Sequence, residues 1–297
     1  MIRQNRYAWC FLAVPIGVLG LFTFFPTIAG LGLAFFSWSG SGPPRFVGLA
    51  NFRGLTGDAR FWPALINSLV FTALTVPLAT VSAFALASIV NAPWFRGRSV
   101  VQSALFFPTI VSIVAVGFVW RWVLDDRGGI VPQAMRAAGL EVPPLLSGGS
   151  LLSIGGVNLL AWPMVSLAAV QVWRTVGLGV LLYVAAMQNI SPSLYDAAQV
   201  DGAGRWRCLR AVTWPGVRPM TLFLLVTGAM GALQAFDVVW ALAGAADSSS
   251  TDVLNWFAFR QFQQNRLGYA AAAGAVIFAI TALATLAQVA LAGRRRA

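Results

Sequence analysis

The chain has 297 residues, of which 58% are hydrophobic and only 10% charged, with a formal net charge of +11 and a mean hydropathy of +0.76. A soluble domain carries roughly 25% charged residues, so this composition places the chain in a bilayer and leaves no segment large enough to fold as a separate soluble body. All 20 basic residues are Arg, with no Lys and no His, which excludes Lys-dependent phosphate loops, Schiff-base chemistry and His-based metal centres or triads.

Crossing a hydrocarbon core of about 30 Å takes ~20 apolar residues in a helix. Runs that meet this predict transmembrane helices at 8–36, 63–90, 100–123, 158–188, 219–243 and 269–292. The first follows Arg3 and Arg6, contains Pro15 and Pro26, and exceeds the roughly 7–15 residues of a signal-peptide core, so it is expected to remain as an anchor. Cys10 and Cys208 are the only cysteines and read as free thiols. In the second span Ser68, Thr72 and Thr75 recur at helical spacing, a candidate lining face; hydroxyls in such helices more commonly bond their own backbone. Trp38, Trp94, Trp120 and Trp122 lie near span ends and read as interfacial anchors.

Positive residues near span ends are retained on the cytoplasmic side. With the N-terminus inside, Arg3, Arg6, Arg96, Arg98, Arg205, Arg207, Arg210, Arg218 and Arg294 to Arg296 are cytoplasmic, eleven in all. The external side then holds eight, spread over the longer loops 39–60, 124–157 and 244–268 and the outer end of the third span: Arg45, Arg53, Arg60, Arg121, Arg127, Arg136, Arg260 and Arg266. An N-in, C-in topology follows, and an even number of spans agrees with it. Because the Arg residues are distributed between apolar spans, no nucleic-acid partner is expected. The loops also carry Asp125, Asp126, Glu141, Asp247 and Asp252; they either cap a cavity, meet an external partner or simply connect.

Apart from Arg121 at the outer end of the third span, Arg174 alone falls within a span. It shares a face of the fourth span with Gln171 and Thr175, about 24 Å by helical rise from the polar segment that follows. In the fifth span Thr227, Gly231, Gln234 and Asp237 fall within about a third of the circumference at 100° per residue, with Gln234 also roughly 24 Å along the helix. An intramembrane charge is costly unless paired or wet. The hypothesis is that Arg174 and Asp237 border one cavity or gate; a fixed ion pair or snorkelling to the interface is the alternative.

Between the fourth and fifth spans runs NISPSLYDAAQVDGAGRWRCLRAVTWPGVRP. Ser193 is expected to cap a short helix through Tyr195, Asp196, Ala197, Ala198 and Val200. Gly202 and Gly204 permit a turn, and a second helix carries Trp206, Leu209 and Val212 on one side before Pro215 stops it. The segment from Ser191 to Pro219 thus predicts a helical hairpin flat on the membrane surface. Lipid headgroups would explain its Arg residues and Trp206, while the paired alanines favour close approach of a docked protein.

This segment resembles the EAA signature of ABC importer permeases, E-A-A, three residues, Gly, nine residues, then I-x-L-P. Here the positions are Asp196, Ala197, Ala198, then Gly202, then Val212, Trp214 and Pro215. Every spacing matches; Asp replaces Glu at 196, Val replaces Ile at 212 and Trp replaces Leu at 214. FVGLANFRGL with FWPALINSLVFT, FFPTIVSIVAVGFVWRWVLDDRGG, and the stretch from Leu233 to Gly244 are similar to the carbohydrate branch of these permeases, so the resemblance covers most of the chain.

The resemblance implies an all-α, polytopic fold of about six transmembrane helices with type I importer (MetI-like) architecture, residues 1–297 forming a single permease domain in the cytoplasmic (inner) membrane and 191–219 its coupling hairpin. The implied function is ATP-driven, binding-protein-dependent import of a sugar or related small polar solute. The chain would not itself be an enzyme: it would bind no cofactor, with ATP and Mg held by a cytoplasmic ATPase dimer. Further implied partners are a second related permease subunit, an extracytoplasmic solute-binding protein and membrane lipid. Asp196, Ala197, Ala198, Asp201, Gly202, Ala203, Arg205 and Pro215 would couple to the ATPase. Gln171, Arg174, Thr227, Gly231, Gln234 and Asp237 are the candidates for the solute pathway or gate, and no metal site is expected. A self-contained secondary transporter would need mid-membrane protonatable groups and often internal repeats, whereas the sequence offers one such acid and no clear repeat. A non-transporting membrane scaffold is the other alternative.

Overall fold

A computed structural model of the chain describes residues 2–154, 157–243 and 250–293. Gly244, Asp247 and Arg294 to Arg296, invoked above, lie outside the described residues. The chain forms two compact units, one of Met1–Trp62 with Leu254–Ala279, the other of Pro63–Val253 with Ile280–Ala297.

In the first unit, α1 (Ile2–Leu19) and α2 (Phe25–Leu33) are joined by a π turn at Gly20–Phe24. The turn ends two residues before Pro26, whose ring would clash with the carbonyl four residues back; the widened turn instead lets the Phe25 amide donate to the Gly20 carbonyl. The helix stops at Leu33 rather than 36, because Phe36 enters a two-residue strand β1 (Phe36–Ser37) paired with β2 (Arg45–Phe46). The Asn51 amide of α3 (Ala50–Gly57) holds this corner by donating to the Ala34 and Phe36 carbonyls at 2.8 and 2.9 Å. Gly268, near the start of α15 (Leu267–Gly293), packs on the Phe36 carbonyl, where any side chain would collide. Phe257, fully buried in α14 (Leu254–Gln263), meets Phe61 edge-on at 6.1 Å.

The second unit is built on α4 (Phe61–Val90), continuous through Pro77, and α8 (Trp162–Gln188). Between them run α5 (Arg98–Ile110), α6 (Ile113–Val123), α7 (Ile130–Ala137) and the strands β3 (Ser150–Ile154) and β4 (Val157–Ala161). Residues 158–161, expected at the start of the fourth span, are therefore strand, and the loop before them is structured. Its acids serve that loop: the Asp126 carboxylate accepts from the Ser147 amide at 2.9 Å and Asp125 from the Gly128 amide at 2.9 Å. The third span is not straight either. Pro108 lies near the end of α5, Val111 is extended, and α6 leaves at 97°. α5 lies against α8, with Gly177 facing the Leu105 carbonyl and the Thr109 hydroxyl donating to the Arg174 carbonyl at 2.9 Å.

After α8 come α9 (Pro192–Val200), α10 (Arg205–Cys208), a π turn at Leu209–Thr213, α11 (Trp214–Gly216) and α12 (Arg218–Leu233). α12 ends at Leu233, and Asp237 opens a separate helix, α13 (Asp237–Ala243). The expected continuous fifth span of 219–243 is thus interrupted at Gln234–Phe236. α13 packs on α6, with Gly117 set against Ala241 and Phe118 edge-on to Trp240 at 6.0 Å. Among the described residues, four helices are long and apolar enough to cross a membrane. The number reaches six when each of two bent pairs, Arg98–Ile110 with Ile113–Val123 and Arg205–Gly216 with Arg218–Leu233, counts as one span.

Candidate functional site

A cleft of about 280 Å³ opens between α4, α8 and α12. Four of the six pathway candidates line it, Gln171 and Arg174 from α8 and Thr227 and Gly231 from α12. Gln234 and Asp237 do not. The helical face that was to carry all four fifth-span residues ends with α12, and Asp237 instead sits in the first turn of α13, where a carboxylate suits the positive end of the helix. Asp237 is within electrostatic reach of Arg174, but among the described residues no ion pair shorter than 4.0 Å joins them.

Of the candidate lining face read in the second span, Thr75 lines the α4 wall of the cleft, while Ser68 and Thr72 do not; Thr80 was not singled out. Thr75 and Thr80 belong to that wall, both buried, and each donates its hydroxyl to the carbonyl four residues earlier, at 2.7 Å in both cases. Ser68 and Thr72 do the same at 3.0 and 2.8 Å, as do Thr175 and Thr227 at 2.9 and 2.7 Å. The hydroxyls satisfy their own helices, which is what allows them in a membrane span. They leave lone pairs, but no proton, for anything in the cleft.

Two cleft atoms differ. The side-chain oxygen Oε1 of Gln171 and the guanidinium Nε of Arg174 are both buried without a hydrogen-bond partner. They stand three residues apart on α8 and so share a face. An unpartnered buried polar atom costs about 1–3 kcal/mol, so two residues of the cleft lining carry one acceptor and one donor that a polar group reaching them would satisfy.

The hairpin after α8 forms, with different ends. Ser191 rather than Ser193 occupies the N-cap of α9 with Pro192 following, and the two serine hydroxyls bond each other at 2.7 Å. α9 closes in a Schellman motif: the Ala203 amide donates to the Ala198 carbonyl at 2.8 Å and the Gly202 amide to the Gln199 carbonyl at 3.0 Å. Gly202 has φ +73°, and a side chain there would meet nothing within 4 Å. The left-handed backbone, not lack of space, is what requires glycine at that point of the EAA-like spacing. Pro215 does not stop the second helix. A π turn precedes it, the Trp214 amide donating to the Leu209 carbonyl, and the chain bends by 63° only at Val217.

Asp196, Ala197, Asp201, Gly202, Arg205 and Pro215 are exposed, while Ala198 and Ala203 are half-buried toward the body of the unit. Val217 connects the hairpin to a buried cluster with Val180, Tyr183 and Met187 of α8. There the fully buried Tyr183 donates to the Thr221 hydroxyl at 2.9 Å. The hairpin is thus rooted in α8 and α12, two of the three walls of the cleft.

A helical membrane chain with a polar cleft among its spans and an exposed hairpin rooted in two of the cleft walls has the architecture of a permease. Residues 60–297 match the family of binding-protein-dependent transport system inner membrane components, and the chain belongs to that family. It is a multi-pass inner-membrane protein of a transport system, not a catalytic subunit. It is similar to the lactose transport system permease protein LacF of Rhizobium radiobacter, with 30% identity over 247 residues covering 82% of this chain and 79% of the relative. It is also similar to a crystal structure of a bacterial ABC transporter involved in the import of the acidic polysaccharide alginate, with 25% identity, 99% and 97% of the two chains covered and a TM-score of 0.84. A second crystal structure, of the alginate transporter in complex with its alginate pentasaccharide-bound periplasmic protein, aligns with a TM-score of 0.81 at 25% identity over 97% and 94% of the chains.

Proposed function

We propose that the chain is the translocation subunit of an ATP-driven sugar importer. The observation that carries the sugar class is the orphaned pair of buried atoms on two residues of the cleft lining, Gln171 Oε1 and Arg174 Nε. A sugar hydroxyl both donates and accepts, so one hydroxyl or two neighbouring ones would satisfy both atoms, while the threonine lone pairs receive further hydroxyl protons. Similarity to permeases named for lactose and alginate transport supports the same class. The cleft is smaller than most ligand pockets, which span roughly 300–1,000 Å³, and would hold a short part of a solute at a time.

The same reading gives the chain an external solute-binding protein as donor, a second related permease subunit, and a cytoplasmic ATPase dimer that holds ATP and Mg. Residues 1–297 act as one permease domain, N-in and C-in, with 191–219 as its coupling hairpin. Asp196 to Gly202 enter a groove of the ATPase through the exposed face of α9, and closure of the ATPase on ATP pulls the hairpin, α8 and α12 together.

The test is import of radiolabelled sugars into vesicles holding the full assembly. Gln171→Ala and Arg174→Gln should each lower import about tenfold, the effect of losing roughly one well-made hydrogen bond to a charged or buried group, with ATPase docking intact. Uptake driven by an ion gradient in vesicles containing this chain alone would instead identify a secondary transporter.

A further inference from the structure

Behind the hairpin lies a second and larger cavity of about 980 Å³, between the end of α4 with the connector after it and the inner side of the hairpin. Its lining is partly apolar, with the buried Met187 and the more exposed Ile89 and Leu209. Its rim carries Arg205 and two indoles, Trp94 and Trp206, 58% and 76% exposed. No acidic side chain lines it among the described residues. α4 ends at Val90 and α8 at Gln188, so the cavity sits where two apolar helices run out.

Each feature alone has an ordinary explanation; their combination matches one ligand chemistry. Indoles and Arg at the level where spans end belong to the headgroup region. The apolar part of the lining accepts hydrocarbon, and an uncompensated guanidinium attracts the anionic lipids of the cytoplasmic leaflet. Of the two other cations near this end of α4, Arg98 is already committed to the Asn91 and Ala92 carbonyls at 2.8 and 3.0 Å, and Arg96 does not line the cavity. This leaves Arg205 as the cation of the lining.

We propose that this cavity holds one anionic phospholipid, its phosphate at Arg205 between Trp94 and Trp206 and an acyl chain along Ile89 and Met187. The lipid occupies the side of α9 that carries Tyr195 and Gln199, and leaves the exposed Asp196, Ala197 and Val200 to a protein partner. The site depends on the chain's lying in a membrane and not on the sugar or ATPase assignments, so it survives the failure of either.

Cys208 lines the cavity and reports on it. In the full chain carrying Cys10→Ser, the rate of maleimide modification of Cys208 is followed in micelles with added phosphatidylglycerol or phosphatidylcholine. Phosphatidylglycerol should slow the reaction about fivefold, the leverage of roughly one surface cation on an anionic lipid, and phosphatidylcholine should leave it nearly unchanged. Arg205→Glu should abolish the protection. Should that variant not fold, about 1 M salt, where the screening length falls to roughly 3 Å, should weaken the protection in the chain that retains Arg205. Equal protection by both lipids, protection by neither, or protection that survives both Arg205→Glu and salt would overturn the proposal. Inorganic phosphate alone should do nothing; protection by it would make this a soluble-anion site and overturn the lipid assignment.

Discussion

The hydroxyls of Tyr195 in α9 and Thr213 at the end of the π turn are hydrogen-bonded at 3.0 Å, across 18 residues of chain. The bond closes the hairpin on itself and joins its exposed arm to the arm that leads into Val217 and the buried cluster on α8. A segment that transmits force must be stiff, and this strut supplies stiffness that the glycine-containing turn at Asp201–Gly204 does not. Tyr195→Phe removes the strut while keeping the ring. Hydrogen exchange of the α9 amides should accelerate by about fivefold, corresponding to a loss of roughly 1 kcal/mol, and transport per ATP hydrolysed should fall although the ATPase still binds. Unchanged exchange would show that the strut contributes nothing.

Gly202 and Gly204 flank the same turn and should respond differently. Gly202 is left-handed, whereas Gly204 has φ −67°, and neither lacks room for a methyl group. Gly202→Ala should destabilise the turn by about 1–2 kcal/mol and Gly204→Ala should be neutral, as read from α9 amide exchange in the two variants.

The same contrast exists within the spans. At Gly177 a methyl group would collide with the Leu105 carbonyl and the Phe106 backbone, while at Gly231 it would meet nothing within 4 Å. Gly177→Ala must push α5 from α8, at a cost of about 1–3 kcal/mol or more, and should lower the thermal unfolding midpoint in detergent. Gly231→Ala should leave the midpoint unchanged and act only on transport, by narrowing the cleft.

Exchanging the charges of Arg174 and Asp237 separates a shared gate from a direct ion pair. Arg174 faces the cleft, and Asp237 lies beyond the end of α12 in the first turn of α13. The double variant Arg174→Asp with Asp237→Arg should therefore import no better than either single change. Recovery to near the original rate would establish a pair that the structure does not contain.

The parts that were legible in the sequence are those set by residue identity and spacing. The hairpin followed from Asp196, Ala197, Ala198, Gly202 and Pro215, and the polar face of α8 from Gln171 and Arg174 three residues apart. Chain direction was hidden, because hydropathy is the same for a straight span and a broken one. Pro108 and Ser112 signalled the bend between α5 and α6, and Gln234 with Asp237 the end of α12, yet both stretches are apolar enough to pass as continuous. The α4 wall was legible only in part: Thr75 belonged to the hydroxyl face read in the second span, whereas Thr80 became a lining residue only through the approach of α8 and α12. The role of Gly177 was likewise invisible, since it depends on a carbonyl some seventy residues away in sequence.

The central claim is that the exposed face of α9 receives work done by a separate ATPase. Its most direct test is co-purification of the cognate ATPase with the intact chain and with Ala197→Trp or Asp196→Arg, which alter that face without touching the Tyr195 strut. The account predicts a stable ATPase complex with the unaltered chain, and loss of both the complex and sugar-stimulated ATP hydrolysis in either variant. A complex that forms equally well with both variants, or sugar uptake by the chain with no ATPase bound, would contradict it.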